Sequence, residues 1–443
     1  MSLLREKFDR AVESSGSILC LGLDPPPAKY PDPASRLRFC LDTLKQLGRY
    51  CSAVKINENH IRGVGEDGQR ALTELARKLG VLSILDCKLG DIGETVRAGV
   101  STISRLGYDA FTANPLFGNF EEIVEAAHDV GLGVILLALP SGRYGERFFR
   151  LKAGDEPLYR RIIKTGVEVG VDGYVLGLSE SLTEAEVGEV RREIGEEAII
   201  LAPGMGAQGG DPKPLIRAGG ERVLVNVGRS IILADDPAAA AARISEELSS
   251  EREFTLTTKA LVTAEGVLNI YDKPVRLSSG GLSRIYIDCR ALYSDVRART
   301  LVARLMVSLI SRKLGRTGFE IATTATAGIP IASIVADRLG TGLVYVRMEK
   351  KEHGLERRVE GVVRRGGVYI GVDDVATTGR SALECVKTIR EEGGVVDRYF
   401  VILDRLEGAE KALGEAGVKL YSLSRMNEDF MSMVESAKKR AAQ

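Results

Sequence analysis

The chain has 443 residues, with 61 Lys and Arg balanced by 61 Asp and Glu. That length implies two to four domains, and a net charge of zero excludes a generic nucleic-acid binder, which would carry a basic excess. Hydrophobic residues at 44% and charged residues at 28% are ordinary for a globular protein, and no apolar run approaches the roughly 18 residues of a transmembrane helix.

From the N-terminus, MSLLREKFDR is charged almost at once and does not read as a signal peptide. A β-rich apolar run followed by an amphipathic stretch then recurs about every 25–35 residues. The expected strands are 18–23, 53–57, 83–88, 110–113, 134–139, 173–177, 198–202 and 222–227, with helices between them such as 68–79, 121–130 and 184–194. Eight such units within about 245 residues match a (β/α)8 TIM barrel. The polar stretch 245–254, SEELSSEREF, reads as the end of the last barrel helix running into a short linker. Beyond it, strands at 320–324, 343–348, 368–373, 398–403 and 418–423 alternate with helices at 296–314, 331–339 and 381–392. They suggest an open, doubly wound α/β domain of about 190 residues. Six cysteines (20, 40, 51, 87, 289, 385) form no CxxC pair, and read as buried small hydrophobes in a reducing cytoplasm.

A TIM barrel carries its active site at the C-terminal strand ends. Asp24 ends the first strand, Lys55 lies in the second, and Asp86, Lys88 and Asp91 end the third. Asp86 and Lys88, two apart on a strand, share a face. An ammonium flanked by carboxylates is a positioned proton donor, and buried charge is too costly to keep without a use. Ser141 follows the fifth strand. Gly-rich turns after the seventh and eighth strands, with Gln208, Gly228 and Arg229, offer backbone N–H groups and a guanidinium to a phosphate.

These segments resemble the orotidine 5′-monophosphate (OMP) decarboxylases over about residues 15–235. The matching stretches are LCLGLDP ending at Pro25, AVKIN (53–57), LDCKLGDIGETV (85–96), LALPSG (137–142), LAPGMGAQGGD (201–211) and VNVGRSI (225–231). The resemblance implies that Lys88 protonates C6 after CO2 is lost, with Asp86 beside the substrate carboxylate and Lys55 in the same charge array. It also implies Asp24 on the ribose, Ser141 on the pyrimidine, Gln208, Gly228 and Arg229 on the phosphate, and Asp91 and Thr95 reaching a partner subunit's site. No cofactor is implied for this step.

In the second half, an apolar strand delivers Asp373 and Asp374 to the turn Ala376, Thr377, Thr378, Gly379, Arg380 and Ser381, which opens a helix. Backbone N–H groups there suit a 5′-phosphate, and the two acids suit ribose hydroxyls. This resembles the phosphoribosyl pyrophosphate (PRPP) motif of type I phosphoribosyltransferases. Residues 346–365 carry seven Lys or Arg against four Glu, and Arg347, Lys350, Lys351, His353 and the later Glu360-Gly361 resemble the catalytic loop of orotate phosphoribosyltransferase. LSSGGLSRIYIDCR (277–290), TATAGIPIA (324–332) and LDR (403–405) agree. The resemblance, over about residues 255–425, implies that Arg347, Lys351 and His353 neutralise departing pyrophosphate, with Lys350 a substitute charge, and that Arg405 binds orotate. It also implies Mg2+ held mainly through PRPP rather than by side chains. Some family members carry lysines where this chain has Ser278, Ala327 and Met348.

Together the resemblances imply a fused enzyme of the UMP synthase kind: a decarboxylase barrel over 1–248, then a type I phosphoribosyltransferase α/β domain with a parallel sheet over 253–443. Its substrates would be orotate, PRPP and OMP, with no nucleic acid or membrane partner, in a cytoplasmic homodimer or larger homo-oligomer with shared sites. Alternatives are a sugar-phosphate aldolase-type barrel joined to a purine phosphoribosyltransferase, which the APGMGAQGGD segment opposes, and a decarboxylase barrel fused to a PRPP-sensing domain without transferase activity.

Overall fold

Apolar runs of four to eight residues make the strands of the first unit: β1 (Leu19–Leu23), β2 (Ala53–Asn57), β3 (Leu82–Leu89), β4 (Ala110–Ala113), β5 (Gly133–Leu139), β6 (Gly173–Leu176), β7 (Ile199–Pro203) and β8 (Val223–Val227). In the computed structural model, which describes residues 3–117, 120–206, 209–276, 282–348 and 358–441, they close into an eight-stranded barrel. All pair in parallel, and β1 meets β8 through Leu19↔Val225 and Cys20↔Asn226. Parallel strands buried on both faces have no polar side to show, which is why they read as unbroken apolar runs. The contacts divide the chain into two units, Met1–Arg252 and Glu253–Gln443.

The expected linker at 245–254 is not one. It lies inside a single helix, Pro237–Thr263. The segment is polar but holds no Gly or Pro, so nothing ends the hydrogen-bond ladder there.

The second unit opens with a hairpin that the sequence pattern did not announce, β9 (Leu268–Arg276) against β10 (Leu282–Ile287). Its sheet then contains β11 (Glu320–Thr324), β12 (Leu343–Val346), β13 (Val359–Glu360), β14 (Val368–Ala376), β15 (Val395–Asp404) and β16 (Lys419–Arg425), in the order β13-β12-β11-β14-β15-β16. All neighbours are parallel except the short edge strand β13, which runs against β12. Alternation sends Ile370, Val372, Phe400 and Ile402 into one apolar cluster and Tyr369, Tyr399 and Val401 into another. The helices Val296–Leu314 and Ile329–Leu339 supply the first cluster, and Arg380–Glu391 the second. Both faces are therefore covered, as a doubly wound sheet requires. Strand order reverses between β11 and β14, and ligand crevices of open α/β sheets form at such a switch point.

Candidate active sites

All eight barrel strands, or the turns that follow them, contribute to one cavity of about 310 Å3. Its lining includes Asp24, Lys55, Asp86, Lys88, Ser141, Gly228 and Arg229. Asp86 is the hub. Its Oδ2 accepts from Lys55 Nζ at 2.7 Å and its Oδ1 from Lys88 Nζ at 2.6 Å. Lys55 is only 6% exposed, whereas the Lys88 side chain is 44% exposed. One ammonium is therefore locked beneath the carboxylate and the other faces the cavity.

The two acid–base partners meet for a reason that simple alternation misses. Lys88 has a left-handed backbone, φ 51°, and the pairing of β3 with β4 slips between Leu85 and Leu89. Thr112 on β4 stabilises the irregularity: its Oγ1 accepts from the Lys88 backbone N–H at 3.0 Å and donates to Asp86 Oδ1 at 2.9 Å. Sequence reading missed Thr112. Its only signal is a hydroxyl in an otherwise apolar strand, AFTA. It also missed Asn57, whose Nδ2 lies 3.4 Å from Asp86 Oδ2.

The electrostatics follow from this geometry. Burial alone would push the Asp86 carboxyl up, but Lys55 and Lys88 outweigh it and hold the group far below the usual carboxylate range. Burial of Lys55 favours its neutral form, yet Asp86 and Asp24 more than offset that and raise its pKa. Asp24 Oδ1 is buried with no hydrogen-bond partner among the described residues, an acceptor that a ligand hydroxyl would satisfy. Ser141 reaches the cavity on a turn packed against the end of β6: a Cβ at Gly177 would lie 2.2 Å from the Ser141 nitrogen, so only glycine permits the approach.

Asp91 and Thr95 do not join this cavity within one chain. Both are exposed, and Asp91 Oδ1 accepts from Ile92 N–H at 2.9 Å. Of the charges Lys55, Asp86, Lys88 and Asp91 expected at the strand ends, the first three meet in this cavity, together with Asp24 and Arg229, and Asp91 does not. Gln208 lies outside the described residues.

In the second unit the acid pair stands at the switch point. Asp373, 5% exposed, accepts at Oδ2 from Thr324 Oγ1 (2.5 Å) and Tyr399 OH (3.1 Å), and at Oδ1 from Asp374 N–H (3.0 Å). Asp374 is half-buried, and its Oδ1 accepts from Val375 N–H at 2.8 Å. Burial raises both carboxyl groups, and for Asp373 the neighbouring Asp374 charge adds to the effect. The turn through Ala376, Thr377 and Thr378 leads to Gly379, the N-cap of the helix that Arg380 and Ser381 open.

Arg405 follows β15, and its N–H donates to Ala376 O at 2.9 Å, which ties the two strand ends together. Its guanidinium is largely buried, with Nε 2.9 Å from Glu407 Oε1. Arg347, just past β12, pairs with Glu360 at 2.9 Å. Met348 is exposed and Ala327 half-buried. Lys350, Lys351, His353 and Ser278 lie outside the described residues.

The chain is similar to proteins of two known families. Residues 17–244 match the model of the orotidine 5′-phosphate decarboxylase / HUMPS family. The orotate phosphoribosyltransferase of Cenarchaeum symbiosum is 41% identical over 150 residues, 33% of this chain and 74% of that protein. That of Sulfurisphaera tokodaii is 42% identical over 164 residues, 36% of this chain and 80% of that protein. The structure of Leishmania donovani UMP synthase is similar at a TM-score of 0.50 and 27% identity, covering 100% of this chain and 96% of that one. With over half of its length matched by one family model and most of each transferase matched in turn, the chain belongs both to the orotidine 5′-phosphate decarboxylase / HUMPS family and to the orotate phosphoribosyltransferases.

Proposed function

We propose that the second unit joins orotate to PRPP, giving OMP and diphosphate, and that the barrel then decarboxylates OMP to UMP. The observation that carries the decarboxylase assignment is the Lys55–Asp86–Lys88 chain at the mouth of the barrel. In the proposed step, the C6–carboxylate bond of OMP breaks, CO2 leaves, and the electron pair left on C6 takes a proton from Lys88 Nζ. Asp86 fixes that ammonium and places a negative charge beside the departing carboxylate. Lys55, buried and already paired, keeps Asp86 ionised without offering a second proton. Such an array needs no reorganisation as charge develops, which is where electrostatic catalysis gains most. Arg229 at the cavity rim, with Gly228, Gln208 and the neighbouring turns, would hold the phosphate, and Asp24 the ribose. Remote phosphate binding then contributes to the transition state rather than only to affinity.

In the transferase unit, Asp373 and Asp374 would hold the PRPP ribose and the 376–381 turn its 5′-phosphate. Arg405 would take the orotate carboxylate, and Arg347, Lys350, Lys351 and His353 would receive the diphosphate. Asp373 is largely committed to protein donors, and among the described residues no group of three or more His, Cys, Asp or Glu side chains could cage a metal. Mg2+ would be held mainly through PRPP oxygens, the hard donors it prefers. When bound, the ion neutralises charge on the leaving diphosphate.

Shared sites complete the proposal. Asp91 and Thr95 are exposed beside Ile92 (65% exposed), Leu116 (50%) and Phe117 (62%), and the Phe117 loop packs on Gly90. An apolar patch beside an exposed acid suits a second copy of the barrel. A cytoplasmic setting agrees with six free cysteines, five of them buried, and among the described residues no helix is long and apolar enough to cross a membrane.

Supplying OMP directly tests the barrel alone: wild type should release CO2 and form UMP, and Lys88→Ala should not. UMP formation at the wild-type rate by Lys88→Ala would remove the assignment of the proton donor.

A further inference from the structure

We infer that Tyr399, acting with Thr324, is a positioning residue of the transferase site, clamping one oxygen of Asp373 from both neighbouring strands so that the other oxygen faces the ribose of PRPP. The inference rests on the transferase reading above and adds a specific device to it.

Three strands build the clamp. Asp373 lies on β14, flanked by β11 and β15. Thr324, the last residue of β11, donates to Asp373 Oδ2 at 2.5 Å, and Tyr399 on β15 donates to the same oxygen at 3.1 Å. Gly371 and Tyr399 are register partners, and a Cβ at Gly371 would lie 2.0 Å from the tyrosine ring. The absent side chain lets the ring lie across β14 and extend its hydroxyl to Asp373, two residues further along the same face. A carboxylate offers about four acceptor positions. The two hydroxyls fill those of Oδ2, and Asp374 N–H takes one on Oδ1 at 3.0 Å. The remaining capacity of Oδ1 lies beside the Asp374 carboxyl and close to Gly328, where a Cβ would stand 2.2 Å away.

The competing explanation is that a buried tyrosine hydroxyl needs some acceptor, whatever it is. Two facts favour the specific role. The acceptor is one of the two acids at the strand switch point. It is also a carboxylate that burial and Asp374 both push towards the neutral form, so hydroxyl donors that favour the charged form offset a cost the site would otherwise carry. Other groups facing Asp373 electrostatically are Cys385 from the helix behind the sheet and Tyr293.

The test uses the full chain and three variants. Tyr399→Phe keeps the ring over Gly371 and removes only the hydroxyl. Binding of PRPP with Mg2+ is measured by calorimetry, and transferase rates are measured against PRPP and against orotate. Decarboxylation of added OMP reports on the rest of the molecule. Tyr399→Phe should weaken PRPP binding and lower kcat/KM for PRPP about tenfold, the effect of one hydrogen bond to a charged group, with KM for orotate and decarboxylation unchanged. Thr324→Val should behave likewise, and Thr324→Ser should retain wild-type binding. Unaltered PRPP binding by Tyr399→Phe overturns the inference, as does an equal loss towards orotate and PRPP, which is the mark of a structural role. If wild type binds PRPP yet consumes no orotate, the transferase reading fails, while the binding comparison still decides the clamp.

Discussion

Asp86 is useful because it cannot easily be neutralised. Its folded pKa lies below the unfolded value of about 3.9, so the ionised carboxylate contributes stability that is present above that value and lost as pH falls through the folded pKa. Lys55 has the opposite sign: its folded pKa is raised, so its contribution is present below the unfolded value of about 10.4 and lost as pH rises through the folded one. The pair should therefore stay charged throughout pH 5–9, and decarboxylation should show no acid limb from Asp86 in that range. A Lys55→Met change leaves the burial of Asp86 less opposed. It should cost about 2 kcal/mol or more in a denaturant titration and move an acid limb towards neutrality. A pH–rate profile identical to wild type would contradict the role given to Lys55. Lys88→Ala, by contrast, should abolish decarboxylation with little loss of stability, since that side chain is exposed in the cavity, and it should leave orotate consumption intact.

At the scale of elements, glycines decide where strands may approach. Gly371→Ala would place a methyl group against the Tyr399 ring, at 2.0 Å from its nearest atom. It should destabilise the second unit by about 1–3 kcal/mol, read as an earlier thermal transition with decarboxylation preserved below that transition. A variant as stable as wild type would mean the ring has room to move. The eight barrel strands were legible because parallel strands buried on both faces are apolar without interruption. The hairpin β9–β10 was not, because Asp272, Lys273 and Pro274 break its pattern. The helix 237–263 was misread at its middle because polar residues mark exposure, not a helix end. The charged residues that line the barrel cavity were legible in dense motifs, whereas Thr112 beside Asp86 and Tyr399 beside Asp373 were not. A single hydroxyl on an apolar strand carries no local sign of the carboxylate it will meet across the sheet.

For the whole molecule, zero net charge averages over opposed clusters: Lys55, Lys88 and Arg229 around one cavity, Arg347 and Arg405 at the strand ends of the other unit. Small phosphorylated anions need local cations, not a basic protein. If the barrel works as a two-fold dimer, Asp91 from one copy serves the site of the other. Lys88→Ala and Asp91→Ala should then each be inactive in decarboxylation, yet recover roughly a quarter of the wild-type rate when mixed, because half of the dimers are mixed and each carries one intact site. No recovery after subunit exchange would place Asp91 in its own chain's site or outside the reaction. The pairing of two consecutive activities in one chain is tested most directly by supplying carboxyl-labelled orotate with PRPP and Mg2+ and following label and nucleotide together. Wild type should release the label as CO2 and accumulate UMP, Lys88→Ala should stop at labelled OMP, and Asp374→Asn should leave most of the orotate unconsumed. Wild-type chain that leaves orotate untouched, or that stops at OMP, would contradict the assignment.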